Sequence, residues 1–293
     1  MDRGTHTVNL SSNGVPIPCT PELFGPLRPS ADLLPPRDPA ALRARLHADG
    51  YLYLPGLLDR SEVLRLRGRY FSLFPPGLLA AGTTPEDGIF SGREPAGLPE
   101  YGVAGHPAHT FVRSAAFDRF VSDPALASLA ALLLGAEARM LPRRILRHFH
   151  RGARRASRAH VDFDYMDRGS PTVVTLWIPV GDCPPRTGTL VYLEGSHRLP
   201  PEEYAPLRDI TDRPADRRQI CHDLELTART LGRRWLWADF AAGDVMVHVP
   251  RVIHASLDTT TDAMRLSADV RFVRAADTPD PRWLTPWSAD DGA

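Results

Sequence analysis

Two histidine–acid pairs with a single residue between the partners occur in the sequence, and only one of them suits metal binding. His160 and Asp162 fall in the strand-like segment 159–165, where residues two apart face the same side of the chain. His47 and Asp49 fall at the end of a predicted helix, where residues two apart point to different sides. Such a tripeptide occurs about once by chance in a chain of this composition. The first pair therefore needs a third ligand before it predicts a metal site.

Histidines that could supply this ligand follow the first pair in the chain: His197, His222, His248 and His254. His254 comes after the turn Gly243-Asp244 and a predicted strand over 245–249. Two imidazoles and one carboxylate occupy one face of an octahedral ion and leave open positions, as in non-haem iron oxygenases.

An arginine and a hydroxyl lie eleven residues and thirteen residues after His254. Arg265 and Ser267 share one face of the last predicted strand. A guanidinium binds a carboxylate through two parallel hydrogen bonds. The chain contains no lysine, so all 35 basic residues are arginines. This absence excludes Schiff-base enzymes and P-loop nucleotide hydrolases, both of which need a lysine amine.

Five ordered motifs in the sequence together resemble the phytanoyl-CoA dioxygenase family, over about residues 39–275. They are His160-x-Asp162, Thr187-Gly188-Thr189-Leu190, Gly195-Ser196-His197-Arg198, Gly243-Asp244 before His254-x-Ser256, and Arg265 with Ser267. Two positions depart from the family pattern, since Glu194 stands where proline is common and Ala255 where glycine is common. The resemblance implies a double-stranded β-helix, that is, a cupin-like jelly roll.

The resemblance also implies a cofactor and a reaction. The family uses iron(II), 2-oxoglutarate and dioxygen. Its members decarboxylate 2-oxoglutarate oxidatively, which gives succinate and CO2, and at the same time oxidise a substrate C–H bond, most often by hydroxylation. By this resemblance the iron ligands are His160, Asp162 and His254, and the residues around 2-oxoglutarate are Arg265, Ser267, Thr189 and Trp177. Related halogenases have glycine or alanine in place of the carboxylate, so Asp162 argues against halogenation.

The substrate side of the site is less specified by the sequence. Arg158 ends an arginine-rich loop, 151–158, which would either hold an anionic substrate or form a solvated basic loop. The aromatic residues predicted to be pocket walls, or else core, are Phe163, Tyr165, Trp177 and Trp237. The Gly- and Pro-rich segment 75–110 is predicted to be a lid. A small natural-product intermediate is the expected substrate class.

The order of hydrophobic periodicities predicts the fold class as mainly β with an α cover. Helical patterns start at Asp38, near Ser61 and at Asp123, and they fill a helical region over 39–135. Strand patterns typical of a sandwich or a jelly roll fill the region 136–275, at 138–149, 172–180, 190–193, 235–240, 245–249 and 266–273. The family resemblance favours the jelly roll. We predict one oxygenase domain over 39–275, preceded by an irregular Pro-rich arm over 1–38 and followed by a tail over 276–293.

Charge and hydropathy exclude several kinds of partner. A formal net charge of +0 gives no general attraction to nucleic acid or to an anionic membrane, and no apolar run reaches the length of a membrane span. The N-terminal residues show no basic segment followed by an apolar stretch, so we expect a cytoplasmic protein. The three cysteines are odd in number and widely spaced, which predicts reduced thiols. A small-molecule substrate is the expected partner, and the oligomeric state is not predicted.

Two alternatives remain open at this point. The protein would be a non-catalytic jelly-roll binding protein if its site were degenerate. It would be a cupin-type metalloenzyme if His148 and His150, which alternate on a predicted strand, were the metal ligands. The position four residues after His150 is Arg154 rather than a carboxylate, so the second metal set is the weaker one.

Overall fold

The computed structural model describes residues 10–33, 38–153, 156–213 and 215–288, and within these ranges two six-stranded sheets dominate the fold. The major sheet consists of β4 (Tyr51–Leu54), β5 (Ala138–Met140), β6 (Ile145–Phe149), β8 (Val173–Pro179), β12 (Val245–His248) and β14 (Arg265–Arg274). The minor sheet consists of β3 (Phe24–Pro26), β7 (Ala159–His160), β9 (Leu190–Leu193), β10 (Gln219–Cys221), β11 (Trp235–Trp237) and β13 (His254–Ser256).

The helices precede most of the strands in the chain, as the sequence predicts. Their bounds are α1 (Pro39–Asp49), α2 (Arg60–Phe71), α3 (Pro107–Phe111), α4 (Ala115–Val121), α5 (Pro124–Leu134), α6 (Pro201–Tyr204) and α7 (Leu224–Thr230). The Asp38 side chain caps α1 by accepting from the Ala40 N–H, and Gly50 ends it with a φ of 79° in the left-handed region. No described helix is long and apolar enough to cross a membrane.

The two faces of β14 explain how the domain is layered. Leu266, Ala268, Val270 and Phe272 are buried against helices α1, α2, α4 and α5 in one large apolar cluster. The alternate residues, from Arg265 to Arg271, face the minor sheet, because side chains alternate along a strand. Every residue of β14 except the last is buried. The interior between the sheets is consequently polar on this strand, and the apolar core lies outside it, under the helices.

The N-terminal arm differs from the prediction. Within the described residues it forms a hairpin of β1 (Leu10–Ser12) and β2 (Val15–Ile17), and β3 then adds to the minor sheet in parallel with β11. The Phe24 ring stacks on that of Trp237 at 4.9 Å between centroids. Three-residue strands carry too little periodicity to be recognised from sequence, so the expected irregular arm was wrong for 10–26. The remainder of the prediction, at 1–9 and 34–37, lies outside the described residues.

Three predicted strands are also shorter than expected, and the one predicted over 235–240 consists only of the three residues of β11. The strand over 138–149 is divided into β5 and β6 by a break that contains Pro142, since proline removes a ladder donor. The segment 159–165 is a strand only at β7, and a 3-10 turn follows at Asp162–Tyr165. The strands predicted over 172–180, 190–193 and 245–249 are confirmed within one residue at each end.

Candidate functional site

Three potential metal ligands meet between the two sheets. One ligand atom from each of His160, Asp162 and His254 lies within 4.8 Å of the others, the only such group found among the described residues. Nε2 of each histidine lies 3.8 Å from Oδ1 of Asp162. The two histidines come together because they are directly paired residues on β7 and β13.

Both histidines are oriented by backbone carbonyls. Nδ1 of His160 lies 2.7 Å from the Arg158 carbonyl oxygen, and Nδ1 of His254 lies 3.1 Å from that of Val252. A carbonyl only accepts hydrogen bonds, so each Nδ1 carries the proton and each Nε2 presents its lone pair. This arrangement fixes ring orientation and tautomer as metal-binding histidines require.

Asp162 is held through only one of its two oxygens. Oδ2 accepts hydrogen bonds from Thr175 Oγ1 at 2.7 Å and from Arg271 Nη2 at 2.9 Å, and His248 Nε2 lies 3.4 Å away. Oδ1 is left facing the two imidazoles. Asp162 begins the 3-10 turn instead of continuing the strand, and its side chain nevertheless reaches the same point as that of His160.

The protonation states suit a divalent metal. Burial lowers the pKa of both His160 and His254, and for His254 the neighbouring His160 and His248 lower it further. Burial alone would raise the pKa of Asp162, but Arg271 and His248 outweigh it and hold that pKa well below the ordinary value. At neutral pH the group therefore offers two neutral imidazoles and one carboxylate, the forms that bind metal.

A second feature of the interior is the guanidinium of Arg265, which is 1% exposed. Its Nη2 donates to Ser267 Oγ at 3.3 Å, whereas Nε and Nη1 have no partner in the part of the chain that the structure describes. The rings of Phe149 and Trp177 flank it at 5.1 and 5.7 Å. A buried charge without a counter-ion is costly. The site therefore fits a carboxylate ligand such as that of 2-oxoglutarate.

The other two residues predicted to line the 2-oxoglutarate pocket are also buried, Trp177 beside this guanidinium and Thr189 directly before β9 of the minor sheet. Trp177 on β8 is 0% exposed, and its Nε1 finds no acceptor within the described ranges. Thr189 is also 0% exposed, with Oγ1 similarly unsatisfied there. Buried polar atoms are nearly always hydrogen-bonded in native proteins. Unsatisfied atoms at Arg265, Trp177 and Thr189 are consistent with a polar cosubstrate.

A cavity of about 690 Å³ opens beside the metal ligands and is lined by both His160 and Asp162. Its volume is typical of small-molecule sites. Of the four predicted pocket residues, Tyr165 and Arg158 line it. The guanidinium of Arg158 is, however, already paired with Asp212 through two hydrogen bonds of 2.6 Å.

The other two predicted wall residues, Phe163 and Trp237, do not line this cavity. The Phe163 ring lies 3.7 Å from the Arg251 guanidinium, and Trp237 stacks on Phe24. Both side chains pack against the apolar cluster on the outer side of the minor sheet. The prediction was wrong because alternation itself turns these rings outward. Phe163 is out of phase with the inward-facing Asp162, and Trp237 shares a face of β11 with Trp235, which is buried in that outer cluster.

The cavity also contains residues that the sequence reasoning missed. Tyr101 comes from the predicted lid segment 75–110, and Trp283 and Trp287 come from the predicted tail. Arg271 lies six residues after Arg265 on the same strand, so counting by twos along β14 would have placed it on the same face. The tail aromatics carry no such signal, since no regular element connects them to the sheets.

His148 and His150, the alternative metal ligands, contact other side chains instead of each other's ligand atoms. Nδ1 of His148 contacts Tyr70 Oη at 3.2 Å and its Nε2 contacts the Met264 sulfur at 3.3 Å, while burial lowers the pKa of this histidine well below its ordinary value. His150 stacks on Phe90, with Nε2 lying 2.8 Å from Glu94. His148 and His150 are not part of the metal-binding group found in the described residues.

Comparisons with known proteins agree with this geometry. A family model described as phytanoyl-CoA dioxygenase matches residues 46–267. The solved structures similar to this chain include SnoN, a non-heme alpha ketoglutarate dependent epimerase from nogalamycin biosynthesis, with 22% identity, a TM-score of 0.57, and coverage of 83% of this chain and 87% of SnoN. EvdO2 from Micromonospora carbonacea var. aurantiaca, solved with 2-oxoglutarate, has 23% identity, a TM-score of 0.52, and coverage of 84% and 96%.

A third similar structure is SnoK, a non-heme alpha ketoglutarate dependent carbocyclase from nogalamycin biosynthesis. It has 19% identity, a TM-score of 0.56, and coverage of 88% of this chain and 90% of SnoK. At these identities the similarity establishes a shared fold, the jelly roll that the sequence predicts. A search of curated protein sequences found no significant match.

Proposed function

Because the chain belongs to the phytanoyl-CoA dioxygenase family, we propose that it is an iron(II)- and 2-oxoglutarate-dependent dioxygenase that hydroxylates a C–H bond of a small natural product. The proposal rests on one observation: within the described residues, a group of three potential metal ligands and a buried, unpaired guanidinium lie in the same interior between the sheets. His160, Asp162 and His254 present three ligand atoms to one point. Arg265 presents a buried guanidinium without a counter-ion among the described residues.

One set of residues would bind the metal and another would bind the cosubstrate. The three ligands would hold iron on one face and leave positions open for 2-oxoglutarate and dioxygen. Arg265, with Ser267 beside it, would bind the distal carboxylate of 2-oxoglutarate through charge-assisted hydrogen bonds. Bound iron with 2-oxoglutarate and dioxygen supplies an oxidant strong enough to attack an unactivated C–H bond, and CO2 and succinate are released.

The cavity supports a small-molecule substrate. Its volume of about 690 Å³ suits a molecule of a few rings, and the rings of Tyr101, Tyr165 and Trp283 are among its walls. SnoN and SnoK, which share the fold, come from nogalamycin biosynthesis. They are an epimerase and a carbocyclase, so epimerisation and ring formation are the alternative outcomes to hydroxylation. Asp162 keeps its carboxylate in the metal group, which favours oxygenation over halogenation.

Succinate release tests the proposed function. Purified protein is incubated in air with iron(II), 2-oxoglutarate and candidate substrates, and succinate is measured for wild type, Asp162→Ala and Asp164→Ala. Asp164 lies two residues along the same 3-10 turn but pairs with Arg208 instead of facing the histidines. We expect Asp162→Ala to abolish succinate release and Asp164→Ala to retain it. Equal turnover in wild type and Asp162→Ala would refute the assignment.

Succinate release together with measurements of 2-oxoglutarate and metal binding separates the other candidate functions. A non-catalytic binding protein would release no succinate with any substrate and would not bind 2-oxoglutarate under anaerobic conditions with iron(II). A cupin-type enzyme would lose metal through His148→Ala and keep it through His254→Ala. The contacts of His148 with Tyr70 and Met264 disfavour this second alternative.

A further inference from the structure

The cavity beside the metal group is unusual for the number of arginines in its walls. Among the residues that the structure describes, seven arginines line it, whereas Asp162 is the single acidic one. The arginines are Arg143, Arg147, Arg158, Arg213, Arg218, Arg271 and Arg282. A wall of one charge sign inside a concave site concentrates ligands of the opposite sign.

Most of this positive charge is neutralised by aspartates just behind the wall. Arg158 pairs with Asp212, Arg218 with Asp216, Arg282 with Asp280, and Arg147 with Asp269. These pairs leave little net charge to attract a ligand. The acid partner of Arg271 is different, because Asp162 is itself the proposed metal ligand.

Arg271 is positioned to do more than hold Asp162. It lines the cavity, is 3% exposed, and uses only Nη2 to contact the carboxylate. Its Nε and Nη1 have no hydrogen-bond partner in the described ranges. The guanidinium also lies 4.2 Å from the centre of the Trp283 ring, which restricts its orientation. Buried N–H groups without acceptors are costly, and a ligand oxygen would satisfy them.

The formal charges of the loaded site lead to the same conclusion. Iron(II), Arg265 and Arg271 would bring four positive charges, and Asp162 and 2-oxoglutarate would bring three negative charges. Arg147 and Asp269 cancel each other, with Nε of the arginine 3.0 Å from the carboxylate. Among these groups one positive charge therefore remains, and Arg271 is the one of them that lines the cavity without an acid partner other than the metal ligand.

We propose, on the basis of the function proposed above, that the substrate carries an anionic oxygen group, such as a carboxylate or phosphate, which Arg271 binds beside the metal group. The aromatic walls, which include Tyr101, Tyr165 and Trp283, place a ring system next to that group. The substrate class is thus an anionic, ring-containing small molecule. This site is separate from Arg265, whose guanidinium is flanked by Phe149 and Trp177.

The test compares probes that share a naphthalene ring and carry either an anionic or a neutral group. Binding of 2-naphthoate, 2-naphthyl phosphate and neutral 2-naphthamide is measured by calorimetry on anaerobic protein saturated with iron(II) and 2-oxoglutarate, so that the Arg265 site is filled. Wild type, Arg271→Gln, Arg271→Lys and Arg218→Gln are compared. Arg218 is the matched control, since it lines the same cavity but pairs with Asp216.

We expect wild type to bind at least one of the anions about tenfold or more tightly than the amide, as charge-assisted hydrogen bonds imply. Arg271→Gln should reduce this ratio to within about twofold of one, Arg271→Lys should restore part of it, and Arg218→Gln should leave it near the wild-type ratio. The ratio would not change if Arg271 only positioned Asp162. The proposal is overturned if no anion is preferred by wild type, or if Arg271→Gln and Arg218→Gln retain the preference equally.

The visible absorption of the iron–2-oxoglutarate complex separates this proposal from the proposed function. Absorption in wild type with no anion preference would refute the anion site and leave the function intact. Absence of that absorption, together with absence of succinate release, would refute the function. In that case the comparison of Arg271→Gln with Arg218→Gln would still decide the Arg271 site, because Arg265 is present in both variants.

Discussion

Arg271 donates a hydrogen bond of 2.9 Å to Oδ2 of Asp162, which leaves Oδ1 as the carboxylate oxygen that faces His160 and His254. This contact joins the two sheets, because Arg271 lies on β14 of the major sheet and Asp162 lies two residues after the end of β7 in the minor sheet. It also determines which oxygen is available to a metal. The orientation of the metal group therefore depends on residues outside the three ligands.

Thr175 supports the same oxygen, and its removal should weaken metal binding. Its Oγ1 donates to Oδ2 of Asp162 at 2.7 Å, and its side chain is fully buried. We expect Thr175→Val to lower the affinity for iron(II) by about 10- to 100-fold, as for other groups that orient metal ligands. Anaerobic titration with iron(II) measures the change. Thr260→Val is the control, because the hydroxyl of Thr260 donates to the Arg186 carbonyl and lies outside the metal group. Unchanged affinity in Thr175→Val would contradict this role.

Arg265 should control the requirement for 2-oxoglutarate without controlling the metal. Replacing it in Arg265→Gln removes the charge that would bind the distal carboxylate, and charge-assisted hydrogen bonds contribute about 1.5–3 kcal/mol each. We expect the 2-oxoglutarate concentration for half-maximal succinate release to rise about 100-fold, with iron(II) affinity changed only a few fold. Ser267→Ala removes one contact of 3.3 Å and should raise it less than about tenfold. Equal effects of the two variants would refute the assignment of Arg265 as the anchor.

The sequence predicts this interior well where alternation along a single strand suffices. Arg265 and Ser267 lie on one face of β14, and the apolar residues between and beyond them face the helices, as period-two alternation requires. The distal ligand His254 could be recognised because it follows a strand and a turn at family spacing. The same counting extended to Arg271 would have reached the residue that holds Asp162.

The sequence fails where the site depends on contacts between distant segments. Thr175 lies on β8, thirteen residues from its partner, and nothing in the local pattern distinguishes it from its neighbours. Trp283 reaches the cavity from a segment that has only a short 3-10 turn. Arg158 was predicted beside the substrate, and its pairing with Asp212 depends on a segment more than fifty residues away. Such pairings are set by tertiary packing, which local periodicity does not encode.

The N-terminal arm should contribute measurably to the stability of the fold, because its strand pairs with the minor sheet, whereas an irregular segment would contribute little. Phe24 is 6% exposed and stacks on Trp237 while its strand extends the minor sheet. We expect Phe24→Ala to reduce the free energy of unfolding in urea by about 3–5 kcal/mol, the usual cost of removing a buried ring. Glu22→Ala, at an exposed residue of the same arm, should change it by less than about 0.5 kcal/mol. A loss below about 1 kcal/mol in Phe24→Ala would show that the arm is only loosely attached.

Asp280 should make stability depend on pH in the acid range. Its side chain, 1% exposed, accepts hydrogen bonds from the backbone N–H groups of Arg168 and Arg282 and from the Arg282 guanidinium. Burial alone would raise the pKa of Asp280, but these donors outweigh it and lower the pKa to about 2. The folded state therefore binds this proton less readily than the unfolded chain, whose aspartate pKa is about 3.9.

The sign of the effect follows from that difference. The contribution of Asp280 is fully present above about pH 5 and is lost as pH falls through about 4 toward 2, and it amounts to roughly 2 kcal/mol. We expect Asp280→Asn to lower the free energy of unfolding by about this amount at pH 6 and by much less at pH 2.5, as measured by urea unfolding at each pH. Asp239→Asn, at an exposed aspartate, should have little effect at either pH. If Asp280→Asn lowered the free energy of unfolding equally at both pH values, the contribution of Asp280 would not depend on the charge of its carboxylate, and the prediction would be wrong.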